Sequence, residues 1–189
     1  MAVACLATMT AGRSLDQLIQ RATKLEALDF MSDIDGSAVR QELDMLLSKD
    51  QYLALYGEGT TSNGRKRRKA IRYEQYRWTE KNVPYSFARN TFSAKDKATI
   101  ERAIEEWSRH TCVTFREVGE RYKGNHVQFV NGGGCSSYVG MQGGRERQPV
   151  TLAPGCRHVG VVIHELGHAL GFHHEQNRPD RDQHVIIQK

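Results

Sequence analysis

The chain has 189 residues, 39% of them hydrophobic, and a net charge of +5. This hydrophobic share allows a core and excludes a wholly disordered chain, and no stretch reaches the roughly 20 apolar residues that a membrane-spanning helix needs. Nucleic acid is not a predicted partner, because the one dense basic run, Arg65–Lys69, contains no aromatic residues and no recognition motif.

The front part of the chain is predicted to be helical over residues 14–56. Apolar residues fall at helical spacing in two sets, Leu15 to Leu28 and Val39 to Leu47. The preceding segment, residues 1–12, is apolar but lacks a positive start, so it is either a weak signal peptide or the ordinary beginning of a helix. The polar, glycine-containing stretch 57–69 is the predicted domain boundary.

After the boundary the pattern changes to that of an α+β fold. Ser93 and Asp96 form a candidate capping box for a helix near 93–109, and a second helix is predicted near 158–171. Short runs typical of strands are Val83–Ala88, Cys112–Phe115, His126–Val130, Ser137–Gly140 and Val150–Leu152. We therefore expect a twisted sheet of about four or five strands, backed by two helices.

The segment HELGHALGFHH, residues 164–174, carries the candidate chemistry. His164 and His168 are four residues apart, so on a helix they share one face and can bind one zinc ion. Glu165 can reach the open side of the metal and act as the catalytic general base. Zinc lowers the pKa of a bound water, and a carboxylate can take the proton of that water and pass it to the leaving amine.

Gly171 predicts how a third ligand reaches the metal. A ligand one turn further along the same helix would be badly placed for a tetrahedral site, whereas glycine can adopt a left-handed conformation and end the helix. His174 can then turn back to the metal as the third ligand, which leaves the fourth position for water. The other histidines are interpreted as packing or surface residues: His110, His126, His158, His173 and His184.

The longer segment HELGHALGFHHEQNRPDRD resembles the signature of the astacin family, which are zinc endopeptidases of the metzincin clan. The resemblance extends back to about Trp78 through the segments VPYSFA, WSRHTCVTF and GCSSYVG. It implies a secreted enzyme with one zinc ion per chain that cleaves proteins or peptides. It also implies a zincin-like upper catalytic subdomain, with a mostly parallel or mixed sheet and two long helices, preceded by a mainly helical propeptide.

The same resemblance assigns roles to residues outside the motif. Cys135 and Cys156 match a family disulfide, the alternative being two free thiols. Ser136–Gly140 matches the edge strand along which the substrate lies antiparallel.

The resemblance also implies that the chain is made as a zymogen, with a propeptide over 1–69 and a catalytic domain over 70–189. A processing protease would cleave at Arg65–Lys69, after Arg68 or Lys69, and the new terminus near Ala70 would pair with Glu175. The alternative for this run is a nuclear-localisation signal or a solvated loop. The family blocks its zinc with a propeptide aspartate, and Glu58 is the nearest acid by position.

The chain departs from the family pattern after His174. Family catalytic domains continue into a second subdomain, which holds a methionine turn, a tyrosine that can bind zinc and a cysteine partner for Cys112. We therefore expect this polypeptide to be a fragment or a truncated gene model of an active enzyme, and to be poorly active or inactive. Two other functions compete with a protease: a non-catalytic binding module, against which the intact Glu165 argues, and a basic nucleic-acid-associated protein, which would show salt-dependent DNA binding.

Overall fold

The computed structural model describes residues 38–56, 73–119, 121–177, 181–183 and 186. The chain divides into two compact units, residues 1–65 and 66–189. Several sequence predictions lie outside the described residues: the apolar start, the first helical set, the acid at Glu58, the basic run, Ala70 and His184. Within the described part, no helix is both long enough and apolar enough to cross a membrane.

The described part of the first unit is a hairpin followed by a helix. Strands β1 (Ala38–Gln41) and β2 (Met45–Ser48) are antiparallel, and helix α1 (Lys49–Tyr56) follows at once. Helix α1 begins with a reciprocal pair: the Ser48 amide donates to Gln51 Oε1 at 2.9 Å, and the Gln51 amide donates to Ser48 Oγ at 3.2 Å.

The predicted helix over 14–56 is therefore wrong for residues 38–48. The chain reverses at Glu42 and Leu43, whose φ angles of 54° and 75° are left-handed and incompatible with an α-helix. Leu43 completed the helical spacing of the apolar residues, yet its side chain is 66% exposed in the turn. The residues on either side, Val39 and Leu47, are directly paired and buried.

The second unit contains a five-stranded mixed sheet. Its strands are β3 (Asn82–Phe87), β4 (Thr114–Glu117), β5 (His126–Val130), β6 (Cys135–Tyr138) and β7 (Arg147–Leu152). Their order within this unit is β6-β7-β5-β3-β4; β6 is antiparallel to β7 and the other neighbours are parallel. This arrangement confirms the predicted α+β fold with a mostly parallel, mixed sheet.

Four of the five strands differ from their predicted bounds, and two of them, β4 and β6, do so for local reasons. Strand β4 starts after Cys112, because Thr111 Oγ1 donates to the Trp107 carbonyl at 2.7 Å and accepts the Val113 amide at 3.1 Å, which forms a turn there. Strand β6 ends before Gly140, whose φ of 73° turns the chain out of the sheet.

Helix α2 (Ala94–His110) confirms the predicted capping box. The Asp96 amide donates to Ser93 Oγ at 3.2 Å, and the Ser93 amide donates to Asp96 Oδ2 at 3.0 Å. The buried face of the helix consists of Ile100, Ala103 and Ile104.

Helix α3 (Val159–Ala169) packs against α2 and against β6 and β7. One continuous core joins the two helices to the sheet, and its fully buried members include Val83, Ile100, Ala103, Val127, Phe129, Val150, Leu152, Val162 and Leu166. Burying an aliphatic or aromatic side chain of this kind contributes about 1.5–3 kcal/mol. The core therefore fixes the position of α3, which carries the HELGH motif.

Candidate metal centre

Helix α3 places the first two predicted ligands side by side. Nε2 of His164 lies 3.0 Å from Nε2 of His168, and their ring centroids are 4.5 Å apart. His168 is buried, with 3% of its surface exposed, whereas His164 is exposed. One ring is therefore held by the core, and the other faces solvent.

Gly171 ends the helix as the sequence predicts. Its φ is 101°, its amide donates to the His168 carbonyl at 2.7 Å, and the amide of Phe172 donates to the Gly167 carbonyl at 2.9 Å. These two bonds form a Schellman motif, in which a left-handed glycine satisfies the last carbonyls of a helix. The chain then reverses and brings His174 Nε2 to 3.3 Å from His164 Nε2.

The three imidazoles form a donor set that fits a metal ion. Each offers one ring nitrogen, and these nitrogens lie within 4.8 Å of one another. Nitrogens bound to one tetrahedral zinc at about 2.0–2.1 Å are about 3.3 Å apart. The observed separations of 3.0 and 3.3 Å match this spacing, so the cluster can bind a metal ion.

A hydrogen bond sets the tautomer of His168. Its Nδ1 lies 2.8 Å from the carbonyl oxygen of Phe172. A carbonyl oxygen can only accept, so Nδ1 carries the proton and Nε2 of the neutral ring keeps its lone pair. Such a contact to the distal ring nitrogen is the usual support of a metal-binding histidine.

Glu165 and the other histidines have distinct surroundings. Glu165 follows His164 in helix α3, and its side chain is 1% exposed. His126 is a core residue whose ring bonds to the Gly124 carbonyl at 3.0 Å, and His158 is the residue that precedes α3. Within the described part, neither these two residues nor His110 nor His173 belongs to the cluster.

Two tryptophans hold helix α3 in place, and sequence reasoning did not identify this role. The indole of Trp78 donates to the Ala169 carbonyl at 2.8 Å, and the indole of Trp107 donates to the Ile163 carbonyl at 3.1 Å. The ring of Trp107 also packs on Phe172, with centroids 5.9 Å apart. Trp78 is 91 residues from its acceptor, so no local pattern indicates the contact.

A disulfide and an ion pair fix the segment that leads into α3. Cys135 and Cys156 are bonded, with an S–S distance of 2.08 Å, which links the start of β6 to the 3₁₀ turn before the helix. Arg157 Nη1 pairs with Asp96 Oδ2 at 3.0 Å, and Arg157 Nη2 donates to Asn131 Oδ1 at 3.0 Å. Among the described residues, Cys112 is exposed and forms no disulfide.

The carboxyl of Asp96 is stabilised in its charged form. Hydrogen bonds from the hydroxyl and the amide of Ser93, and then the positive charge of Arg157, hold the pKa of Asp96 below its ordinary value. Asp96 therefore serves two helices, because it caps α2 and binds the residue that precedes α3 by two positions.

A family model described as Astacin, a family of peptidases, matches residues 70–189, which include the whole histidine cluster and the sheet of the second unit. The chain belongs to the astacin family. The predicted resemblance is thus confirmed.

Named relatives agree with this membership of the astacin family. Blastula protease 10 of Paracentrotus lividus is 38% identical over 156 residues, and zinc metalloproteinase dpy-31 of Caenorhabditis elegans is 39% identical over 146 residues. Each alignment covers 76% of this chain, and the chain spans about a quarter of their length, 25% and 24%.

A solved structure of a zinc-protease is also similar to this chain. High choriolytic enzyme 1, a hatching enzyme zinc-protease from Oryzias latipes, is 33% identical with a TM-score of 0.54. The match covers 60% of this chain and 58% of that enzyme.

Proposed function

We propose that this chain carries the catalytic centre of a zinc-dependent endopeptidase that hydrolyses peptide bonds in proteins. The observation that carries the proposal is the convergence of three imidazole nitrogens at the spacing of one tetrahedral metal site. Relatives named as zinc metalloproteinases support the same metal and the same reaction class.

His164, His168 and His174 are the proposed ligands, with one zinc ion per chain. These three residues would hold the ion, and the bound ion would polarise the scissile carbonyl and lower the pKa of a water. The proposed ligands differ in exposure, which suits a metal ion that must be firmly held and also accessible to a substrate. The buried His168 anchors the site in the core, while the exposed His164 leaves one side accessible to a substrate.

Glu165 is the proposed general base. It receives the proton of the attacking water and then donates it to the leaving amine, which balances the proton over the reaction. Helix α3 holds its backbone next to that of His164, and burial restricts the rotamers open to its side chain.

The substrate is proposed to bind as an extended strand along residues 136–140. Within its unit, strand β6 pairs antiparallel with β7. A peptide that adds to a strand forms backbone hydrogen bonds that are independent of its sequence, which suits an enzyme acting on protein chains.

The proposal extends to secretion and zymogen maturation. The disulfide between Cys135 and Cys156 supports an oxidising, extracellular compartment. Residues 1–69 then act as a propeptide, and a processing protease cleaves within Arg65–Lys69. The new amino terminus near Ala70 pairs with Glu175, which is partly buried.

The direct test compares Glu165→Gln with Glu146→Gln, a matched change at a half-exposed glutamate outside the cluster. Zinc content is measured by elemental analysis, and turnover by hydrolysis of a fluorogenic casein substrate. We expect one zinc per chain in all three proteins, slow zinc-dependent hydrolysis by the original chain and by Glu146→Gln, and a loss on the order of 10²–10⁴-fold in Glu165→Gln. An original chain that binds no zinc, or hydrolysis that is unchanged in Glu165→Gln, contradicts the proposal.

A further inference from the structure

Two glutamines in the second unit are buried close to the end of helix α3. Gln142 is 4% exposed and Gln148 is 1% exposed. A primary amide is costly to bury unless its donors and acceptor are hydrogen-bonded, so both side chains must be held by specific partners.

Those partners lie in the turn that follows β6. Gln148 Nε2 donates to the Gly140 carbonyl at 3.0 Å, and Gln148 Oε1 accepts the backbone amide of Gln142 at 3.0 Å. Gln142 Nε2 donates to the carbonyls of Val139 and Gly140 at 3.1 and 3.2 Å. The Gly140 carbonyl therefore accepts from both side chains, which uses both of its lone pairs.

Gly140 connects this arrangement to helix α3. Its amide donates to the His168 carbonyl at 2.8 Å, and its φ of 73° is a conformation that favours glycine. The same carbonyl of His168 accepts the amide of Gly171, at 2.7 Å. The His168 carbonyl therefore lies where helix α3 ends and the chain turns toward His174.

We propose that Gln148, together with Gln142, is a positioning residue for the metal centre, which it acts on through Gly140 and the carbonyl of His168. This inference rests on the proposed zinc site and deepens it. Fixing the His168 carbonyl fixes the last turn of α3, and with it the angle at which His174 returns to the other two imidazoles. Ligand geometry of this kind depends on its supporting hydrogen bonds as well as on the ligands.

The test is the zinc affinity of Gln148→Leu, which keeps the approximate volume of the side chain and removes its hydrogen bonds. Gln128→Leu is the matched control, since Gln128 lies in the neighbouring strand β5 and its amide contacts Ser86 Oγ at 3.5 Å instead of the turn after β6. The zinc dissociation constant is measured by competition with a chromogenic chelator, and stability by thermal unfolding of the metal-free proteins. We expect Gln148→Leu to raise the dissociation constant on the order of 10-fold or more, while Gln128→Leu leaves it unchanged.

If Gln148→Leu does not fold, a second variant, Gln142→Leu, tests the same positioning role. It should also raise the zinc dissociation constant. The visible absorption of the cobalt-substituted proteins reports the ligand geometry and should change in the two network variants but not in Gln128→Leu. Unchanged zinc affinity in the network variants, or an equal loss in Gln128→Leu, overturns the inference while the zinc site stands. An original chain that binds no zinc overturns the proposed function itself.

Discussion

Asp96 shows how a single side chain can organise a site from a distance. It caps helix α2 through Ser93, and it pairs with Arg157 at 3.0 Å, just before the helix that carries two of the proposed ligands. The guanidinium of Arg157 also stacks 4.8 Å from the ring centre of Phe92, which holds it in the orientation that Asp96 requires. Substitutions at Asp96 should therefore destabilise both the start of helix α2 and the segment before helix α3.

We expect the stabilisation from Asp96 to depend on pH. Its pKa in the folded chain is lowered from 3.8, so its contribution is present above that value and is lost as the pH falls through the lower folded pKa. Asp96→Asn should lower the melting temperature most at neutral pH, and the difference from the original chain should shrink in acid. Thermal unfolding of both proteins, measured from neutral pH down into acid, checks this prediction.

The control for this prediction is Glu105→Gln, a change at an exposed acid on the same helix. It should shift the melting temperature little and by a similar amount at each pH. A difference between Asp96→Asn and the original chain that stays constant into strong acid would show that the charge of Asp96 is not what stabilises the fold.

The sequence predicts the placement of some residues of the candidate site better than that of others. His164, His168 and His174 were predictable because helical periodicity and one glycine determine their relative placement. Trp78, Gln142 and Gln148 were not, because their roles arise from contacts with elements that are distant in sequence or that form only once the sheet is folded.

At the scale of elements, the local sequence at the end of helix α3 determines the geometry of the candidate site. Gly171 terminates the helix through a left-handed φ of 101°, and both the tautomer of His168 and the approach of His174 depend on the turn that follows. An alanine there would place a Cβ against the backbone in a conformation that costs roughly 1–2 kcal/mol.

We therefore expect Gly171→Ala to destabilise the metal-free chain by about 1–2 kcal/mol and to weaken zinc binding, as measured by urea unfolding and by chelator competition. Gly160→Ala is the matched control on the same helix, because a Cβ there meets no described atom within 4 Å apart from its chain neighbours and the backbone of its own helix. It should leave zinc binding unchanged and stabilise the helix by up to about 1 kcal/mol. Equal effects of the two substitutions would argue against a special role for the turn.

Elements with strong local signals were predicted closely, and the hairpin was not. Helix α2 has a capping box and a three-residue buried face, so both its start and its orientation could be read from the sequence. The segment Ala38–Ser48 carries apolar residues that fit a helix as well as two strands. Its conformation is decided by the left-handed turn at Glu42 and Leu43, where neither residue is a glycine that would have indicated it.

At the scale of the whole molecule, the second unit supports one helix from several sides. The core joins α3 to the sheet and to α2, the disulfide fixes the segment before it, and the turn after β6 bonds to the His168 carbonyl near its end. The mixed sheet follows from the order of elements: crossover connections give the parallel strands, and the short link between β6 and β7 gives the antiparallel pair. The family assignment and the fold therefore agree with the local chemistry of the motif.

Anomalous diffraction near the zinc absorption edge, from crystals of the chain grown with zinc, tests the central claim most directly. We predict one strong peak per chain, with Nε2 atoms of His164, His168 and His174 at about 2.0–2.1 Å from it. A peak located elsewhere, or imidazoles that point away from a common centre in the presence of zinc, would contradict the account.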